Sequence, residues 1–407
     1  MTQPATRPAR PFAVTRNLRL LYTLGTLTMA QPGLAIWVVY LLDFRGLTLT
    51  QVGVMEAFFW GVKLLIEVPS GAVADRFGRR ATFWIGLIIE GSGVAMFAFA
   101  SSFPILLVSY VLWSSGLSFR SGNDQAYLYD TLASGHRSEE FSERTGIYGA
   151  LTTAAFTISG IAGAWLASLT TLQVPMVLGI VPFISAAVCL AFMQEPPRVL
   201  GTQGHLPYAE TLRTAWDVLR RNRLVRYAVL TQIFVTTALG ASFLLVQPFL
   251  QEHRVDIGLF GLLQAPAAMA GAGASILSAR LARALGVLRL GWLTLLLTIG
   301  GLLVVAAIDH VLAFAGIVAV QIAIGAATPA ITGYVNDRTD SNIRATMMSV
   351  VPLGTSLTWA LTGPFAGTLG DASLPLAFGA MAAVILASAG ASLLLWQRAE
   401  RATPVAA

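Results

Sequence analysis

Apolar residues along the chain come in runs of about twenty that are apolar on every side and separated by short polar turns. Wound as a helix, a run of that length crosses the roughly 30 Å hydrocarbon core of a bilayer. The pattern predicts such spans over residues 20–42, 52–74, 82–100, 104–127, 147–169 and 174–193. After a polar stretch it predicts six more, over residues 226–250, 257–279, 286–308, 311–335, 346–369 and 374–396. The expected fold class is all-α integral membrane, with twelve transmembrane helices in two pseudo-symmetric six-helix bundles. These are residues 20–193 and 226–396, with a linker at 194–225 and tails at 1–19 and 397–407. A porin-like barrel is excluded, because its strands would alternate in segments of about 10 residues.

The polar turns are asymmetric. With the N-terminus inside, the cytoplasmic segments collect nearly all the arginines, including Arg7, Arg10, Arg16 and Arg19 of the tail, while the opposite side holds only Arg45 and Arg254. The positive-inside rule then places both termini in the cytoplasm of a multi-pass plasma-membrane protein. The polar N-terminus has no cleavage site before its apolar span and reads as a tail, not a signal peptide.

Composition narrows the function. Only 11% of residues are charged against 56% hydrophobic, where a soluble domain carries roughly 25% charge. The net charge of +6 is spread over short loops and forms no stripe for nucleic acid. The single cysteine, Cys189, allows neither an intramolecular disulfide nor a thiolate cluster, and the four histidines lack metal-ligand spacing. Neither a phosphate-binding loop nor a hydrolase or metalloprotease motif occurs, so no enzyme activity and no cofactor are expected.

The division into six and six spans implies an internal repeat, and echoes of one are visible. Arg144-Thr145 entering span 5 parallels Arg344-Ala345 entering span 11, and the basic turn after span 2 has a reduced counterpart at Arg280, Arg283, Gly286 and Arg289. In the linker, Leu212, Trp216 and Leu219 at helical spacing among Arg213, Arg220 and Arg221 predict an amphipathic helix on the cytoplasmic leaflet.

Between spans 2 and 3 stands Gly71-Ala72-Val73-Ala74-Asp75-Arg76-Phe77-Gly78-Arg79-Arg80. The chain here resembles the major facilitator superfamily, whose loop motif G-x-x-x-D-[RK]-x-G-[RK]-[RK] it matches at Gly71, Asp75, Arg76, Gly78, Arg79 and Arg80. Gly71 is expected to permit close helix packing and Gly78 to form the turn. The resemblance implies that Asp75 sits against the N-terminal end of span 11, where the helix dipole favours a carboxylate, and latches the cytoplasmic side in the outward-open state. Arg144 is the expected partner. The run Glu67-Val68-Pro69-Ser70-Gly71 also resembles a segment that precedes the motif in some bacterial members. The family's span 4 arginine position is occupied by Ser118, with Arg120 displaced by two, and the antiporter glycine-proline motif is not present in span 5.

Ionisable groups within spans are costly and are functional candidates by default. On span 2, Glu56, Lys63 and Glu67 fall on one stripe with Trp60, and Lys63, the chain's only lysine, lies one turn from Glu67, close enough for mutual neutralisation. Span 4 carries Arg120 and Asp124, while Glu90 of span 3 stands alone and reads as a packing residue. The resemblance implies that spans 1, 4, 7 and 10 line a central cavity. The expected substrate or proton site therefore combines Lys63, Glu67, Arg120, Asp124 and Glu56 with Gln31, Gln232 and Gln247 as hydrogen-bonding groups. The expected function is secondary active transport by alternating access, in a monomer whose partners are a small-molecule substrate, protons and the bilayer. Proton-coupled export of amphipathic or drug-like molecules leads; uptake or uniport of a sugar or organic anion is the alternative, and a non-transporting sensor the remote one.

Overall fold

The computed structural model describes residues 12–197 and 208–402. Arg7, Arg10, His205 and the outermost parts of both tails and of the linker lie outside them.

The first crossing is broken. Helix α1 (Val14–Met29) runs into a 3-10 turn at Pro32–Ala35, then a short α2 (Trp37–Val39) and a π turn at Tyr40–Phe44. The first bundle continues with α3 (Leu49–Phe77), α4 (Arg79–Phe99), α5 (Phe103–Arg120), α6 (Asn123–Ser134), α7 (Phe141–Leu169), α8 (Gln173–Leu178) and α9 (Ile180–Phe192). Helix α10 (Tyr208–Arg221) lies in the linker, with Arg220 stacked on an exposed Trp216. The second bundle comprises α11 (Arg223–Glu252), α12 (Phe260–Leu285), α13 (Val287–Ala307), α14 (Ala315–Asp337), α15 (Ser341–Ala372) and α16 (Leu374–Ala402). Pairing α5 with α6 and α8 with α9 gives twelve crossings in two bundles of six. Ten of the helical stretches are long and apolar enough to span a membrane by composition; the other two crossings are the broken first one and α15. An even number of crossings puts both chain ends on one face, here termed the terminus face, opposite the far face.

The repeat expected from the sequence is visible in backbone geometry. Gly78 between α3 and α4 and Gly286 between α12 and α13 both hold positive φ, +94° and +82°, a conformation that an L side chain resists. Span 4, expected to be continuous, is instead interrupted. Ser121 is extended and Gly122 sits at φ +75°, so α5 ends at Arg120 and α6 restarts at Asn123 inside the bundle.

Close helix approach shapes each half. A methyl group on Gly116 of α5 would overlap the backbone of Glu90 on α4, and the same intimacy recurs where Gly301 of α13 meets Gly316 of α14. Gly116→Leu is therefore expected to lower stability by about 1–3 kcal/mol or more through overpacking, read as a depressed unfolding midpoint in detergent. Gly146→Ala, where a methyl group meets nothing within 4 Å, is the control and leaves the midpoint nearly unchanged.

Candidate functional site

The two halves meet along a seam on the far face. Asp371, at the end of α15, caps the start of α3. Its Oδ1 accepts from the Leu49 amide at 2.7 Å, and its Oδ2 from the Thr50 amide at 2.9 Å and the Thr50 hydroxyl at 2.6 Å. The Thr48 hydroxyl accepts from the next amide of that turn, Gln51, in a capping box, so the first three amides of α3 all have acceptors. Gln247 of α11 clasps the broken first crossing, accepting from the Val38 amide at 2.8 Å and donating to the Leu34 carbonyl at 3.1 Å. Gln264 of α12 donates to the Ala35 carbonyl at 3.1 Å. Gly53 of α3 abuts Gly363 of α15, and Gly261 of α12 abuts Gly160 of α7. Among the described residues, the hydrogen bonds that join the halves all lie in this far-face portion. Toward the terminus face, Gly61 and Gly71 of α3 have open space around them, so Gly71 makes no close packing contact among the described residues.

The seam ends in an aromatic pair near mid-membrane. The Trp60 ring of α3 meets the Trp359 ring of α15 edge-on at 4.5 Å between centroids. Trp359 is held by its indole bond to the Thr236 carbonyl at 3.1 Å, and hydroxyl pairs Thr236–Thr355 and Thr237–Thr358 fasten α11 to α15 beside it. Adjoining the pair is a cavity of about 320 Å³ whose walls include Trp60, Phe243, Phe314 and Trp359, with the amides of Gln264 and Gln321 as polar groups. The Ser242 hydroxyl in the same wall is buried and without a hydrogen-bond partner among the described residues.

The span 2 stripe faces this seam. Glu56 accepts the Trp60 indole hydrogen at 3.0 Å, and the Lys63 ammonium lies 5.3 Å over the Trp60 ring. The expected Lys63–Glu67 neutralisation does not form: among the described residues Lys63 has no ion-pair partner, and one Glu67 carboxylate oxygen is buried without a hydrogen bond. Gln31 donates locally to the Thr28 carbonyl, and Gln232 donates to Thr332 at 3.3 Å. Both amide ends of Gln247 are occupied by the seam, which makes it a tie between halves and not a free cavity group.

Arg120 and Asp124 lie elsewhere, inside the first bundle at the break in span 4. Glu90 does not stand alone: it takes Arg120 through two bonds, Nε to Oε2 at 3.0 Å and Nη2 to Oε1 at 3.2 Å. Asp124 is 3.8 Å from the remaining Arg120 nitrogen. The cation thus closes the C-terminal end of α5 and the anion opens α6, the placement that helix dipoles favour. The expected site is therefore divided between an inter-half group around Glu56, Trp60 and Lys63 and an intra-bundle group around Arg120.

The loop motif is stapled to its own bundle. Glu195 caps α4 by accepting from the Arg79 amide at 2.6 Å and the Arg80 amide at 2.8 Å, and the Arg79 side chain reaches Asp130 of α6 at 3.2 Å. Asp75 is 44% exposed and 3.6 Å from Arg79. The expected Asp75–Arg144 pair is absent, because Arg144 binds Glu140, one turn earlier on its own helix, at 2.7 Å.

The sequence model of the Major Facilitator Superfamily matches residues 20–320. The chain belongs to the major facilitator superfamily. Curated relatives include the uncharacterized MFS-type transporter YxaM of Bacillus subtilis, 24% identical over 53% of this chain and 54% of the relative. Another is the quinolone resistance protein NorA of Staphylococcus aureus strain MRSA252, 26% identical over 37% of this chain and 39% of the relative. The chain thus spans about half, or less, of the length of these relatives. Among solved structures, a bacterial homologue of the human lysosomal transporter Spinster, inward-facing and unoccupied, aligns with a TM-score of 0.77 at 18% identity over 98% of this chain and all of that one. The nucleoside transporter NupG (D323A mutant) aligns with a TM-score of 0.76 at 14% identity over 95% of this chain and all of that one. These two likenesses establish the superfamily fold.

Within this superfamily chain, sequence reasoning missed Glu90, Asp371 and Glu195 as partners, and Trp359, Phe243, Phe314, Gln264 and Gln321 as cavity walls. For Glu90 a signal existed: Gly86, Glu90 and Gly93 share one face of α4, and that glycine face packs on α5.

Proposed function

We propose that the protein is a proton-coupled secondary active transporter that exports small amphipathic or drug-like molecules by alternating access, as a monomer in the plasma membrane with both termini cytoplasmic. The observation that carries this reading is the aromatic-walled cavity of the second bundle, bordered by Trp60 of the first, with amide and hydroxyl groups and a single adjoining carboxylate, Glu56. Such walls suit a flat, partly apolar molecule better than a heavily hydroxylated one. The arginines of the terminus-face turns support a cytoplasmic terminus face, a reading on which the far-face seam shuts the outer side. In the alternate state Asp75 docks on the start of α15 while Asp371 leaves the start of α3. The partial similarity to the NorA quinolone resistance protein agrees with export.

One observation favours uptake or uniport of an organic anion: Lys63 is a cation without an ionic partner among the described residues, beside the same tryptophan. Equilibrium binding of labelled lipophilic cations, sugars and organic anions to purified protein separates the readings. Export predicts binding of the lipophilic cations, weakened about tenfold by Trp359→Ala through loss of roughly 1.5 kcal/mol of ring contact. Binding of organic anions alone, abolished by Lys63→Gln, selects the alternative.

A further inference from the structure

Where span 4 breaks, two carboxylates share one guanidinium in a nearly dry pocket. The side chains of Glu90, Arg120 and Asp124 are 1%, 4% and 15% exposed. Glu90 has both oxygens within hydrogen-bond distance of Arg120, whereas Asp124 meets it only at 3.8 Å. Oδ1 of Asp124 is buried with no hydrogen-bond partner among the described residues. Tyr148 of α7 is the other titratable group beside Asp124; its hydroxyl is turned to the Asp124 carboxyl group as a neutral partner, and its ring packs against the uncharged Gly25 of α1. With both acids ionised, the cluster carries one more negative than positive charge. An uncompensated buried charge costs several kcal/mol, and a proton removes that cost. The proton belongs on the carboxyl group with the poorer partner.

We propose that Asp124 is the proton-carrying residue of this transporter and that Glu90 is a positioning residue, holding Arg120 off Asp124 so that this carboxyl group retains its proton. The inference rests on the proton-coupled reading above and assigns it a site. The break supplies the movement. Gly122 takes a left-handed backbone and has open space around it, so α6 can shift against α5. When Arg120 turns from Glu90 toward Asp124 and water enters the opened pocket to solvate the Glu90 carboxylate, the Asp124 O–H bond breaks, the proton passes to that water and on to the aqueous face, and the new Asp124 carboxylate is neutralised by the guanidinium. Return of Arg120 to Glu90 restores the need for a proton on Asp124.

The test is infrared difference spectroscopy of the full-length protein in lipid bilayers, following the C=O stretch of protonated carboxyl groups, with flux measured in parallel. The wild type is expected to show at neutral pH one such band that disappears in Asp124→Asn, distinct from any band that disappears in Glu56→Gln, since Glu56 is also a carboxyl group without a cation beside it among the described residues. The same band is expected to disappear in Glu90→Gln, although Asp124 is still present, because the freed Arg120 then pairs with it; Glu90→Asp retains the band. Both Asp124→Asn and Glu90→Gln keep downhill flux but lose its dependence on pH. Failure of any band to disappear in Asp124→Asn, measured in a Glu56→Gln background, overturns the assignment. So does a band that persists in folded Glu90→Gln, which would leave Glu90 a packing residue. Should the band behave as stated while wild-type flux ignores a pH gradient, the protonated group stands and the coupled-transport reading falls.

Discussion

Asp371→Ala is expected to open the far face, shifting the conformational equilibrium by about tenfold to a hundredfold. The carboxylate accepts two main-chain amides and one hydroxyl from the other half of the molecule, at a helix start where its charge is also favoured by the dipole. Hydrogen bonds to a charged group contribute about 1.5–3 kcal/mol, and the low end is appropriate to a set at the water boundary; each 1.4 kcal/mol is a factor of about ten. Asp371→Asn keeps one acceptor oxygen and is expected to have a smaller effect of the same sign. The readout is alkylation of Val38→Cys, fully buried in the seam, by a membrane-impermeant maleimide in a Cys189→Ser background. Faster labelling in Asp371→Ala is the expected result; an unchanged rate would mean that the seam does not depend on this cap.

Gly53→Leu is expected to abolish turnover while leaving both bundles folded. A single added methyl group already overlaps the Gly363 carbonyl, and overpacking of this kind costs about 1–3 kcal/mol. Leucine adds three further carbons, so the closed seam becomes the minor state and transport falls by about a hundredfold or more. The α4–α5 and α13–α14 contacts that hold each bundle do not involve Gly53, and a normal unfolding midpoint checks that the loss is conformational. Gly61→Leu, eight residues on along the same helix and in open space, should leave the far-face seam closed to the maleimide. Full activity in Gly53→Leu would show that the α3–α15 approach is dispensable for the cycle.

Different parts of this molecule were legible to different degrees. The twelve crossings follow from run length alone, because a bilayer imposes one dimension on every span. The breaks after Met29 and Arg120 do not: proline is tolerated within a continuous membrane helix, so Pro32 marks no break, and the polar run Arg120-Ser121-Gly122-Asn123-Asp124-Gln125 reads equally as a polar patch on one continuous span. The stripe of Glu56, Trp60 and Lys63 was readable from helical period, and Glu56 and Trp60 on it face the other half. The pairing of Arg120 was not: i, i+4 spacing pointed to Asp124, but Glu90 on the neighbouring helix approaches closer because Gly116 lets α4 and α5 touch. Asp371 escaped notice because its partners are main-chain amides more than three hundred positions away, which carry no side-chain signature. Arg144 was assigned across the loop to Asp75, yet a carboxylate one turn away, Glu140, costs no long-range ordering and holds it.

The most direct test of the account uses purified protein alone in liposomes with an acidic lumen. Orientation is established by protease access to the tails, and a fluorescent lipophilic cation is added outside. Proton-coupled export predicts uphill accumulation of the cation in the vesicles whose lumen faces the far side of the protein. That accumulation should collapse with a protonophore and be lost in Gly53→Leu. Equilibration of the cation without accumulation, unaffected by the pH gradient, would contradict it.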